Sequence, residues 1–167
     1  FCKIVNELGG YAEVVSEREL EIALRVGVEP NRIIWNGPIK NAEKLEAFLL
    51  SGGTDNIDSV EELAVVRAIA ERHPDKVLNL GIRCNYDVQD GVVSRFGFDV
   101  DSEDFKKVLE FVKTTENVHF INFQCHFAKR QIDYWPARAK GMVELIDRLG
   151  IIPERIDIGG GLFGKMA

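Results

Sequence analysis

Residues 11–40 read YAEVVSERELEIALRVGVEPNRIIWNGPIK, and this stretch decides the fold. Tyr11 to Val15 reads as a strand, and Ser16 then stands at a helix start with Glu19 three residues on. That is the spacing of a capping box, in which a hydroxyl and a carboxylate satisfy backbone N–H groups left free by the first turn. Leu20, Ala23 and Leu24 recur at helical spacing as a buried stripe, and Gly27 ends the helix. Arg32 to Trp35 is the next strand, closed by a turn at Asn36-Gly37-Pro38. Strand, helix and strand in this order make one parallel βαβ unit.

The unit repeats outward from there. Asn41 starts a helix through Leu50 that buries Leu45, Phe48 and Leu49, and a short strand follows at Asp55 to Ile57. Ser59 and Glu62 repeat the capping-box spacing before a helix that His73-Pro74 stops. Val77 to Arg83 is a mostly apolar run, as a parallel strand covered on both faces should be. Asn85 to Val100 reads as a long loop, and Phe105, Val108, Leu109 and Val112 then form an amphipathic stripe behind Ser102. Val118 to Gln124 is a strand, Ala139, Met142, Val143 and Ile146 are the stripe of another helix, and Arg155 to Ile158 is the last strand. Upstream, Phe1 to Leu8 reads as a helix remnant before the Gly9-Gly10 break. Six strands with five intervening helices suit a β/α barrel two strands short of closure or a doubly wound sheet, and the barrel is the better of the two.

Composition narrows the function classes. With 46% apolar and 29% charged residues the chain can bury a core without cross-links. Its 21 basic residues are scattered and outnumbered by 27 acidic ones, a poor basis for nucleic-acid binding. No apolar run reaches the length that crosses a bilayer, and a soluble, cytoplasmic protein is expected. Cys2, Cys84 and Cys125 form no CxxC pair and are odd in number, which argues against a disulfide framework and against a metal site.

In either architecture the active site lies at the carboxyl ends of the strands. Gly159, Gly160 and Gly161 follow the last strand, where bare backbone amides can approach a phosphate; the competing reading is a flexible turn. His126, in Phe123-Gln124-Cys125-His126-Phe127, can stack on a flat ligand or pass a proton, or else is a satisfied core histidine. Arg83 ends a strand among apolar residues, so its guanidinium needs either a ligand anion or a structural acid. Glu13 lies on the first strand, facing a barrel mouth or pairing between strand and helix. Asn36 to Lys40 shows nothing beyond a turn, and His73 and His119 read as surface residues.

Taken together, these segments resemble the fold-type III pyridoxal-phosphate decarboxylases, the family of diaminopimelate, ornithine and arginine decarboxylases. The resemblance runs from Tyr11 to Gly161. It rests on Glu13 to Leu20, which is similar to the family's D-V-V-S-x-x-E-L, on Arg32 to Lys40, Asn56 to Leu63 and Ser94-Arg95-Phe96-Gly97, and on Asp157-Ile158-Gly159-Gly160-Gly161. What it implies is an α/β fold, a (β/α)8 TIM barrel of the alanine racemase-like type with about six of eight units present, so that residues 1–167 form part of a pyridoxal-binding domain. The implied cofactor is pyridoxal 5′-phosphate, its phosphate on Gly159 to Gly161, its ring against His126, Arg83 near it, and Glu13 close to its imine where the family has aspartate. The implied activity is decarboxylation of an amino acid (diaminopimelate, ornithine, arginine or a related substrate) by a full-length homodimer. The imine-forming lysine is expected upstream of Phe1, and the last strand and a C-terminal β domain after Ala167, so the chain alone is expected to be inactive. Within the matched region, His126-Phe127-Ala128-Lys129 departs from the family's H-x-G-S, and Gln124 replaces a common histidine. A catalytically silent, regulatory homologue and an amino-acid racemase on the same barrel are the alternatives.

Overall fold

The computed structural model describes residues 2–92, 94–129 and 131–160. After a short helix α1 (Cys2–Glu7), the elements alternate: β1 (Ala12–Val14), α2 (Glu17–Arg25), β2 (Ile33–Trp35), α3 (Ala42–Leu50), β3 (Thr54–Ile57), α4 (Val60–Arg72), β4 (Leu78–Asn85), β5 (Phe98–Asp99), α5 (Glu103–Thr114), β6 (Val118–Gln124), α6 (Trp135–Leu149) and β7 (Arg155–Asp157). All six strands expected from the sequence are present. The addition is β5, a two-residue strand inside the stretch read as loop, where Cys84 and Asn85 of β4 pair with Phe98 and Asp99.

The main sheet is parallel throughout, in the order β1-β2-β3-β4-β6-β7. A doubly wound sheet starts from a central strand and reverses direction, whereas here each new strand is added on the same side of its predecessor. The architecture is therefore an arc of barrel.

The two faces of the arc differ in chemistry, because successive strand residues point to opposite sides. On one face Val14, Trp35, Ile57, Leu80, Ile82 and Phe123 join helix residues such as Leu45, Leu49, Val66, Val108 and Leu145 in one buried cluster. Trp35 meets Phe48 of α3 edge to face, 5.6 Å between ring centroids. Each such buried side chain contributes roughly 1.5–3 kcal/mol, which holds the helices on that side. The other face carries Asn36, Asn56, Gly81, Asn122 and Gln124, the four amides all buried. Gly81 leaves room for them, since a Cβ there would press on Asn56 Oδ1 and lie 2.6 Å from Asn122 Oδ1.

The caps hold with one shift. Ser16 and Ser59 accept from the N–H groups of Glu19 and Glu62. The glutamates reach one residue further back than the simple box, to the N–H groups of Val15 and Asp58. Two stripes are rotated from expectation. Leu24 is exposed on α2. On α6 the buried face is Arg138, Met142 and Leu145, which turns Ala139 and Val143 to solvent. An arginine occupies a position that hydrophobic periodicity assigns to the outside.

Candidate active site

The polar face of the arc converges at the carboxyl ends of its strands. Asn36 Nδ2 donates to Glu13 Oε1 at 2.5 Å, and Asn56 Nδ2 donates in turn to Asn36 Oδ1, so a chain of hydrogen bonds crosses β1, β2 and β3. Beyond Gly81, both side-chain polar atoms of Asn122 and the Oε1 of Gln124 are buried without a hydrogen-bond partner among the described residues. Such orphans are rare inside proteins and mark a place where a polar ligand or water completes the bonding.

Arg83 leaves β4 at the same end. Its guanidinium lies 3.3 Å from Asp58 and over the ring of Phe96, 4.9 Å from the centroid. Phe96 belongs to Ser94-Arg95-Phe96-Gly97, whose Gly97 has φ +76° and no space for a Cβ beside Arg83 O. The segment thus folds over the arginine as a lid. Of the two readings open for Arg83, pairing with a structural acid is present, and the acid stands on the polar face.

Glu13 and Asp157 reach one another from β1 and β7. Burial, and after it the charge of Asp157, raises the Glu13 carboxyl above its ordinary value, and burial does the same for Asp157. Each of these carboxyls therefore holds a proton more readily than an isolated acid does. The edges of the arc also meet further down, where Arg155 Nη2 donates to Tyr11 Oη at 3.0 Å.

The glycine loop is shaped by the strand residues before it. Gly159 has φ +79°, and a Cβ there would fall 2.6 Å from Cys125 O, so only glycine fits. Its N–H donates to Asp157 Oδ1 at 2.7 Å, and the N–H of Gly160 donates to His126 Nδ1 at 3.3 Å. That second bond places the ring proton of neutral His126 on Nε2. The space where a Gly160 side chain would project is open. Gly161 lies outside the described residues.

Glu13, Arg83, His126, Gly159 and Gly160, all singled out in the sequence, are therefore brought to one end of one sheet. The sequence reading missed Asn36, Asn56, Asp58, Asn122 and Asp157. A usable signal was an amide or acid on a strand whose other residues are apolar. Lys40, read as part of a turn, is 1% exposed and meets Asp55 at 2.7 Å and Glu62 at 2.5 Å on the helix side.

Comparison with known proteins bears on the family and the fold. The family model for the pyridoxal-binding domain of pyridoxal-dependent decarboxylases matches residues 1–166. Diaminopimelate decarboxylase of Aquifex aeolicus is 30% identical over 173 residues, covering 96% of this chain and 41% of its own length. Among solved structures, a diaminopimelate decarboxylase from M. jannaschii superimposes with a TM-score of 0.83 at 25% identity, over 98% of this chain and 41% of that one. An alanine racemase of Clostridium difficile 630 shares the fold, with a TM-score of 0.67 at 19% identity over 89% of this chain and 38% of its own. The chain thus spans about two fifths of the relatives it matches.

Proposed function

The chain belongs to the pyridoxal-dependent decarboxylases by their pyridoxal-binding domain, and from that premise we propose that it is part of an amino-acid carboxy-lyase dependent on pyridoxal 5′-phosphate. The observation that carries this reading is the meeting of the glycine loop and His126 with orphaned amides and carboxylates on one polar face. The residues fit the group. The open space at Gly160 admits a phosphate, the fixed Nε2–H tautomer leaves His126 a flat partner for a ring, and the unpaired Asn122 and Gln124 atoms need polar partners. When bound, the cofactor supplies an electron sink for the carbanion left as carbon dioxide departs.

The remaining steps belong to the chain's own residues. Gly159 gives the loop its shape, its N–H held by Asp157, while Gly160, with open space where a side chain would project, lets a phosphate approach the loop backbone. His126 orients the ring, the arrangement that decides which bond is cleaved. Arg83, held by Asp58 under Phe96, offsets the negative charge of Glu13. The carboxyl pair of Glu13 and Asp157 draws in the ammonium group of an amino acid and holds a proton beside it. The relatives' names favour diaminopimelate among the substrates. A cytoplasmic homodimer is our proposal for the full-length form.

The test is carbon dioxide release from diaminopimelate, ornithine and arginine by the full-length protein with saturating cofactor. Release from one of them is expected, and none from residues 1–167 alone above the rate with free cofactor. Racemisation without carbon dioxide, or cofactor binding with neither, would refute the decarboxylase.

A further inference from the structure

Arg138 is 0% exposed in the first turns of α6, yet no carboxylate pairs with it among the described residues. Its donors go to backbone carbonyls: Nη2 to Phe127 O at 3.1 Å and to Lys129 O, Nη1 to Gly160 O at 3.4 Å. The guanidinium stacks on Trp135, 4.7 Å from the ring centroid, and Nε has no partner among the described residues. Tyr86 Oη donates to Arg138 O at 2.6 Å and pins the helix around it. A sealed, unneutralised guanidinium is a costly way to fill space, and an apolar side chain would do that better.

The carbonyls show what the charge is for. Phe127 and Lys129 belong to the loop that begins with His126, and Gly160 to the glycine loop. The planar fork of arginine can span both, which the point charge of lysine cannot. Gly160 is thereby held on both sides, its N–H by His126 and its C=O by Arg138. We propose that Arg138 is a positioning residue for the cofactor phosphate: it ties the His126 loop to the glycine loop and sets a positive charge one hydrogen bond from Gly160, in the loop that receives the dianion. This rests on the pyridoxal phosphate reading above.

Equilibrium binding of pyridoxal 5′-phosphate and of pyridoxal, which lacks the phosphate, separates this role from general stability. In the full-length protein, Arg138→Met is expected to weaken pyridoxal 5′-phosphate roughly ten- to a hundredfold, the loss of one to two charge-assisted interactions. Pyridoxal affinity should stay within about twofold of the parent. Arg138→Lys should fall between, since it keeps the charge without the fork. Inorganic phosphate should compete with pyridoxal 5′-phosphate less well in Arg138→Met than in the parent. Equal losses for the two ligands, or no loss, would overturn the role. If Arg138→Met does not fold, Arg138→Lys decides on the same ratio, and a parental ratio there overturns it. A parent protein that binds both ligands alike refutes the cofactor reading instead.

Discussion

Two buried charge clusters flank the same sheet and are built on opposite plans. On the helix side, Lys40 meets Asp55 and Glu62 and also donates to Asn56 O, so every charge has an opposite charge in contact. On the inner side, Asp58 is the one ion-pair partner of Arg83 among the described residues, Glu13 and Asp157 both have carboxyls raised by burial, and amide atoms of Asn122 and Gln124 lack hydrogen-bond partners among those residues. The closed cluster locks α4 to β2 and β3. The open one is what a binding site needs, because its unmet bonds are available to a ligand.

The largest effect should come from breaking the closed cluster. Lys40→Met strands two buried carboxyls without their cation and should cost about 3–5 kcal/mol in urea unfolding. A cost under about 1 kcal/mol would show that the contrast is not one of stability against function.

Next comes its pH dependence. Burial, and then the neighbouring Asp55, push Glu62 up to about 8 from an ordinary 4.5. The folded chain then binds more protons than the unfolded chain between those values, so stability falls as pH rises across that window. The slope is at most about 1.4 kcal/mol per pH unit. Unfolding curves at pH 5 to 8 should show it, and Glu62→Gln should flatten it.

In the open cluster the effects should fall on the ligand. Gly160→Val fills open space in the free protein, so it should fold normally yet weaken cofactor affinity about tenfold or more in a binding titration. His126→Ala should keep affinity within a few-fold and lower turnover about tenfold or more at saturating cofactor. The reverse pattern would exchange the roles of loop and ring. The smallest effect is expected at Asn122, whose side chain lacks hydrogen-bond partners among the described residues. Asn122→Leu should change stability by about 1 kcal/mol or less, in either direction, since no bond is lost.

Much of the fold was legible because it is written in local signals. Ser16, Asn41, Ser59 and Ser102 announce helix starts within four residues, and all four act as caps. The stripe Leu45, Phe48, Leu49 is buried as its spacing requires. β5 gave no such signal, since two residues have no period and its pairing depends on β4. The α6 stripe misled because polarity scales place arginine outside, while a stacked guanidinium with carbonyl acceptors can be inside. In the site, Gly159, Gly160 and His126 were visible as residue types beside strand ends. The bonds that give them roles were not. Glu13 to Asn36 and Asn36 to Asn56 are contacts 23 and 20 residues apart, and His126 to Gly160 spans 34. No window of sequence contains such pairs; the register of the strands makes them.

The sequential order of the main strands bears on how the chain is made. Apart from the short β5, each strand of the sheet finds its neighbour in the preceding βα unit, already emerged from the ribosome. Strand pairings are thus separated by one repeat rather than by the whole length, and pairing can advance from the amino end during synthesis. The glycine loop and its His126 partner follow the first four strands of the main sheet in the chain, so this part of the site is added to strands synthesised before it.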